Sequence, residues 1–398
     1  MRLNFNISTF YILAWILYYL QELLPSDFGP IARVLLLLNF VISIYYAFVA
    51  NLKYKLPVYF KGLNFMLVMF TLYGILLMLD PRPLYAHDIV AVDKFNYLKQ
   101  IYLSLVPIYP FYVFTRQGLI NEDKLKLWLC ILIPLLIVFF FYRQNQFQLA
   151  AMDGREEFTN NAGYMFVAIM PTIVFFNKKP FVQYALLALC MFFILLSMKR
   201  GAIIIGVLCV LFFLYMSTKS ASRSQKGWLL ILSVVLLIVG YFNIKYLMNT
   251  SDYFNNRIEA TLEGNSSQRD VIYSSLWGIY TTKFNSLQLI FGGGACATLR
   301  YLGSYAHNDW LELLINQGIL GVVAYISYWL YFYKSYNKSK GNPTVSLALF
   351  LLLIISFLRT LFSMSYGDME FFETMTLGYC LANVVVNNGS TKYGSQQT

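Results

Sequence analysis

The stretch from 181 to 216, FVQYALLALCMFFILLSMKRGAIIIGVLCVLFFLYM, decides the fold. Two apolar runs, each approaching the roughly 20 residues that cross a hydrocarbon core, are separated only by the polar turn SMKRG. Both runs are continuously apolar rather than alternating. They therefore read as helices, which satisfy every backbone group within one segment, and not as barrel strands. The pair is a helical hairpin, and it raises the question of why Lys199 and Arg200 stand at its tip.

The rest of the chain repeats the pattern. Its 398 residues are 59% hydrophobic and 12% charged, with a mean hydropathy of +0.58, which excludes an ordinary soluble domain of this size. Further runs at 31–50, 61–79, 126–142, 228–246 and 344–361, with less clean ones at 8–24, 98–114, 161–176, 309–333 and 371–387, bring the total to about 12 spans. The sequence thus predicts an all-α polytopic membrane protein: spans over 1–246, an external segment over 247–308, further spans over 309–387 and a polar tail over 388–398. The first run lacks a small-residue cleavage site and reads as a retained helix. Of the five cysteines, Cys130, Cys190, Cys209 and Cys380 lie in apolar runs and none has metal-site spacing, so neither a disulfide framework nor a zinc site is expected.

Charge sets the orientation. With the N-terminus inside, the cytoplasmic loops collect Arg2, NLKYKLPVYFK, TRQGLINEDKLK, NKK, STKSASRSQK, KSYNKSK and Lys392, which is 16 Lys or Arg against Glu122 and Asp123. The net charge of +11 is accordingly an orientation signal, and no nucleic-acid partner is expected. Parity puts Lys199 and Arg200 outside, because NKK at 177–179 flanks the other end of the same helix. Cations at that surface either hold an anion or snorkel to phospholipid headgroups.

The longest polar stretch, about 249–306, is external on this map and is patterned. In SSQRDVIYSSLWGIYTTKF, positions Val271, Ile272, Ser275, Leu276 and Ile279 share a helical face suited to the membrane surface or to capping the spans. The glycine turn LIFGGGA follows, and then SYAHNDWLELLINQGILG enters a span with His307 at its mouth and small Gly318 and Gly321 below. A helix N-terminus lowers the pKa of a histidine, which suits His307 to act as a general base; an interfacial histidine bonded to its loop is the plainer alternative. The other histidine, His87, reads as a loop residue.

The order SMKRGA, SSQRDVIYSSLWGIY, LIFGGGA, AHNDWLELLINQGILG resembles the O-antigen polymerase and O-antigen ligase superfamily over about 190–330. The charge map with about 12 spans expects both termini in the cytoplasm; the resemblance implies a glycosyltransferase C-like fold in the bacterial inner membrane with the active site facing the periplasm. It implies Arg200 and Arg269 as ligands of a polyprenyl diphosphate that carries the oligosaccharide, and His307 as the catalytic centre. A chain-length regulator protein is a further implied partner, and no cofactor is implied.

Physical chemistry is compatible with those roles, since guanidiniums grip phosphate bidentately and stabilise a departing diphosphate. No Asp-x-Asp cluster marks the external loops, so protein cations are expected in place of a metal. With no nucleophile paired with a base, the expected transfer is a single inverting displacement. Lys199 and Arg300 are further candidate phosphate ligands; Asn308, Asp309 and Asp270 are candidates to orient a sugar or the imidazole. Glu156 and Glu157 are candidates for a sugar groove, and Tyr301 and Tyr305 for stacking on sugar rings.

Three readings follow. A polymerase moves the glycan to the non-reducing end of a lipid-linked repeat unit. A ligase moves it to lipid A-core or a protein; the compact external segment, without an appended soluble domain, favours the polymerase. A flippase for lipid-linked sugars also needs cations, but it needs them in a midplane cavity rather than at one face.

Overall fold

The computed structural model describes residues 6–21, 29–86, 90–152, 160–220, 269–362, 365–367 and 369–393, with scattered positions of 227–249. Most of the span expected at 228–246, His87, Glu156, Glu157 and most of the segment 247–268 lie outside the described residues. The helices are α1 (Ile7–Gln21), α2 (Pro30–Lys53), α3 (Tyr59–Leu79), α4 (Phe95–Leu105), α5 (Ile108–Arg116), α6 (Glu122–Met152), α7 (Ala162–Ile173), α8 (Pro180–Leu196) and α9 (Arg200–Ser220). Beyond them come α10 (Arg269–Thr282), α11 (Ser286–Phe291), α12 (Ala297–Leu302), α13 (Asp309–Lys338), α14 (Pro343–Phe362) and α15 (Phe371–Tyr393). A minimal antiparallel ladder, β1 (Tyr85–Ala86) with β2 (Val90–Ala91), follows α3.

Among the described residues 6 helices are long and apolar enough to cross a membrane, and Ile7–Leu20, Ala162–Phe176 and Pro180–Leu196 are shorter apolar helices. The outer surface agrees with a lipid environment. Leu52, Phe181 and Leu79 are 82%, 81% and 74% exposed, and α13 presents Ile319, Val323, Ile326 and Leu330 outward as one stripe. Lipid is the only solvent in which so many large apolar side chains face outward at no cost.

Inside, helices meet over small residues and rings. At Gly378 of α15 a Cβ would lie 2.8 Å from the Ile108 carbonyl oxygen and the Tyr112 nitrogen, so only glycine lets α15 cross α5 this closely. Trp15 stacks on Phe371 with centroids 5.8 Å apart, tying α1 to α15. A buried ion pair at 2.9 Å joins Arg359 of α14 to Glu373 of α15, with the guanidinium over the ring of Tyr164 in α7.

Two local departures from the expected runs have backbone causes. The run at 98–114 is two helices, α4 and α5, meeting at Val106 and Pro107, because proline has no N–H to give the preceding turn and its ring crowds that turn's carbonyl. The helix α15 continues to Tyr393, so helical backbone extends into the stretch expected as a tail.

Candidate functional site

The hairpin tip is a built turn. The chain reverses through Met198, whose φ of 53° is left-handed, while Ser197 and Met198 donate their N–H groups to Phe193 O at 3.0 Å and Leu195 O at 3.1 Å. The start of α7 moors it: Asn160 N donates to Ser197 O at 3.0 Å, and a Cβ on Gly163 would sit 2.3 Å from Ser197 Oγ. Asn160 Nδ2 in turn donates to Phe140 O at 3.1 Å, so α6, α7 and the α8–α9 turn are clamped together. Lys199 and Arg200 stand half-buried on this rigid support.

The helix α10 packs Leu276 and Ile279 into a small core with Phe284, Ala297, Ala306 and Ile315, and Ile272 against it. It caps the neighbouring helices by the expected face, except that Val271 is 60% exposed. Next, α11 is closed by a capping box between Asn285 and Gln288, and the glycine turn docks onto α13. Gly318 has φ 66°, ψ −157°, which breaks α13 and orphans the carbonyls of the preceding turn. Gly293 N and Gly294 N donate to two of them, Ile315 O at 2.8 Å and Asn316 O at 3.0 Å. A Cβ on Gly292 would lie 2.3 Å from Asn316 O, and one on Gly318 2.5 Å from Gly292 N. The close neighbour expected below His307 is thus this turn, reached through a broken helix.

Glu312, fully buried, ties the pieces together. Its Oε1 accepts from Thr298 Oγ1 at 2.5 Å and Asn316 Nδ2 at 2.8 Å, and its Oε2 accepts from Ala306 N at 2.7 Å. The residue held by the last bond immediately precedes His307, whose φ of 52° is left-handed. On its other side Asn308 caps α13, accepting from Trp310 N at 3.0 Å and Leu311 N at 3.1 Å. Asp309 is buried, accepting from Tyr325 Oη and from Ser365 N, while Trp310 Nε1 donates to Thr360 Oγ1 at 2.9 Å. Among the described residues the non-glycine positions with positive φ are Met198, Cys296 and His307, one in each of these three segments. Strained backbone of this kind persists only where the surroundings over-determine it, as they do at functional sites.

Residues far apart in sequence converge on His307. Its ring reaches solvent, yet it stands in a crowded recess that disfavours the imidazolium; the charges of Arg269 and Lys199 add to that, and together they lower its pKa below the ordinary value of 6.5. The His307 imidazole therefore feels at least two cations, which together with its crowding favour its neutral form. Such a group of charges can hold a polyanion while the imidazole accepts a proton.

Other candidates have different surroundings. Arg300 makes an ion pair with Asp80 at 2.7 Å, and Asp80 also takes a bidentate contact from Arg82. The Arg82 contact first, and the Arg300 charge after it, hold the Asp80 carboxyl well below the usual carboxylate range. Lys94 Nζ donates to the Asp80 carbonyl, so this cluster latches the end of α3 to α12. Asn308 and Asp309 serve the backbone and the core as described; Asp270 stands in the first turn of α10, Tyr301 lies on α12 against Phe284 and is 39% exposed, and Tyr305, on the α12–α13 connection, packs against the cluster of Leu77, Leu84, Cys296 and Leu299. Sequence reasoning missed Glu312, Thr298, Asn316 and Asn160. The signal at Glu312 and Asn316 was two polar residues four apart inside an apolar helix, a spacing that puts them on one face. No group of three or more His, Cys, Asp or Glu that could hold a metal ion occurs among the described residues.

The chain matches no protein-family model, and no curated protein is similar to it in sequence.

Proposed function

We propose that this chain is a membrane glycosyltransferase that takes an oligosaccharide from a polyprenyl diphosphate and joins it to the non-reducing end of a lipid-linked repeat unit, a surface-polysaccharide polymerase. The observation that carries the reading is the electrostatic convergence of Lys199 and Arg269 on His307. Arg269 and Arg200 hold the diphosphate, with Lys199 beside them. The acceptor hydroxyl oxygen attacks the anomeric carbon as the bond from that carbon to the diphosphate oxygen breaks. His307 takes the hydroxyl proton, and the cations neutralise the charge that develops on the leaving diphosphate. One displacement inverts the anomeric centre.

On this reading the chain has about 12 spans in a glycosyltransferase C-like arrangement, with both termini in the cytoplasm of a bacterial cell and the recess facing the periplasm. A regulator of chain length is its partner. Purified protein reconstituted with polyprenyl-diphosphate-linked repeat units, with lipid A-core in a parallel reaction, tests the proposal. A ladder of lengths on the lipid carrier supports polymerase activity; transfer only to lipid A-core replaces it with ligase activity.

A further inference from the structure

Tyr59 N donates to Ser335 Oγ at 3.2 Å, which sets the α2–α3 connection at the C-terminal end of α13, roughly 40 Å along that helix from His307. This is the basic end of the molecule. The loops that the charge map places there carry 16 Lys or Arg against Glu122 and Asp123, and both acids already face Lys126, Glu122 Oε1 at 2.5 Å and Asp123 Oδ1 at 4.0 Å. Lys61, Lys334, Lys338 and Lys340 are exposed, and water solvates them. Arg116, at the end of α5, is different: it is half-buried, and its Nη1 is shut off from solvent with no hydrogen-bond partner among the described residues. A guanidinium nitrogen in that position calls for an acceptor. Its own helix does not supply one. Gln117 N, Gly118 N and Leu119 N donate to Val113 O, Thr115 O and Phe114 O at 2.9, 3.0 and 2.8 Å, so α5 closes through left-handed Gly118 and leaves Arg116 unspent. No acid comes from the sequence that follows the crossing of α15 over α5 either, since 385–398 hold no Asp or Glu.

The groups beside Arg116 are of one kind. Tyr112, one turn before it on the same face, donates to Lys55 O at 3.3 Å, and its ring meets that of Tyr54 edge-on at 6.2 Å. Gln117 Nε2 reaches Tyr54 Oη at 3.5 Å, and exposed Lys53 and Lys55 flank Tyr54. The end of α5 and the α2–α3 connection thus form a niche of a guanidinium, two ammonium groups and a phenol, with no acid among the described residues around it. Leading to this niche, α2 turns Val41, Tyr45, Phe48 and Leu52 outward at 55%, 59%, 65% and 82% exposure. Their spacing of i, i+4, i+7, i+11 makes one apolar stripe that ends beside Lys53. Free phosphate has no use for such a stripe, whereas a lipid has. We propose that the niche between α2 and α5 is a binding site for the phosphodiester of an anionic phospholipid, held by Arg116 and Lys55 with its acyl chains along the α2 stripe. The inference stands apart from the transferase reading, because none of these residues belongs to the His307 recess.

The test is native mass spectrometry of the full chain purified in dodecyl maltoside, with dioleoylphosphatidylglycerol, dioleoylphosphatidylethanolamine or inorganic phosphate added. The wild type should retain phosphatidylglycerol in preference to phosphatidylethanolamine. Arg116→Gln should weaken that retention by about tenfold or more, the effect of losing one charged hydrogen bond, while Lys340→Gln, which removes another cation from the same end, should leave it unchanged. Equal retention of the two lipids, undiminished retention by Arg116→Gln, or an equal loss in Lys340→Gln overturns the site. Displacement of phosphatidylglycerol by millimolar inorganic phosphate overturns the lipid assignment and makes the niche a free-phosphate site. A second arm needs no substitution: phosphatidylglycerol carrying a diazirine near the carboxyl end of an acyl chain should cross-link the wild type within 48–55 or 112–117, and cross-links confined to other segments contradict the proposal.

Discussion

At the residue scale the central group is His307. Neutral imidazole is the form that accepts a proton, and crowding first, then the charges of Arg269 and Lys199, hold the ring in that form. The sign follows directly: the active form is lost as pH falls through the lowered pKa. Turnover should therefore persist below the ordinary histidine value of 6.5 before its acid limb begins. Lys199→Gln removes one positive neighbour and should move that limb to higher pH, which a pH profile of turnover will read. His307→Ala should abolish transfer while diphosphate binding survives. Arg269→Gln should instead weaken binding of the donor by more than tenfold, since a charge-assisted hydrogen bond contributes about 1.5–3 kcal/mol. A titration with a prenyl diphosphate separates the two outcomes.

At the scale of elements, the site depends on a break in α13. Gly318 turns the chain at φ 66°, and the carbonyls thereby freed accept from Gly293 and Gly294. Gly318→Ala requires a left-handed alanine and also sets a Cβ 2.5 Å from backbone atoms of Ile290 and Gly292. A positive-φ residue alone costs about 1–3 kcal/mol, so the substitution should lower the melting temperature clearly and release the glycine turn. Glu312→Ala should do likewise by leaving Ala306 N, Thr298 and Asn316 without their acceptor, whereas Glu312→Gln keeps one amide oxygen and should be milder in the same thermal assay.

Much of this scale was legible in the sequence. The face Ile272, Ser275, Leu276, Ile279 announced α10 by periodicity, and SMKRG announced the hairpin by its polar interruption. The Gly318 break was not legible, because a glycine inside an apolar run serves equally for close packing or for a left-handed bend, and only the docked glycine turn distinguishes them. The commitment of Arg300 to Asp80 was hidden too. It depends on a pairing across more than 200 positions, between the end of α3 and α12, that no local spacing encodes.

At the scale of the whole molecule, apolar runs predicted the all-α architecture, and the outward stripe of α13 is its visible consequence in three dimensions. The Arg359–Glu373 pair joins two of its helices where both side chains are 5% exposed or less. Arg359→Met alone should cost about 3–5 kcal/mol by stranding a buried carboxylate, and combining it with Glu373→Leu should recover most of the loss, as thermal unfolding in detergent can show. The charge map makes its own demand: a cysteine at 199 should react with a membrane-impermeant maleimide added outside, and one at 340 only after permeabilisation. The most direct test of the central claim is reconstitution of wild-type and His307→Ala protein with polyprenyl-diphosphate-linked repeat units. The account predicts a ladder of lengthened glycans on the carrier from the wild type and none from the variant. A wild type that moves the lipid across the bilayer without joining sugars, or a variant that still makes the ladder, would contradict it.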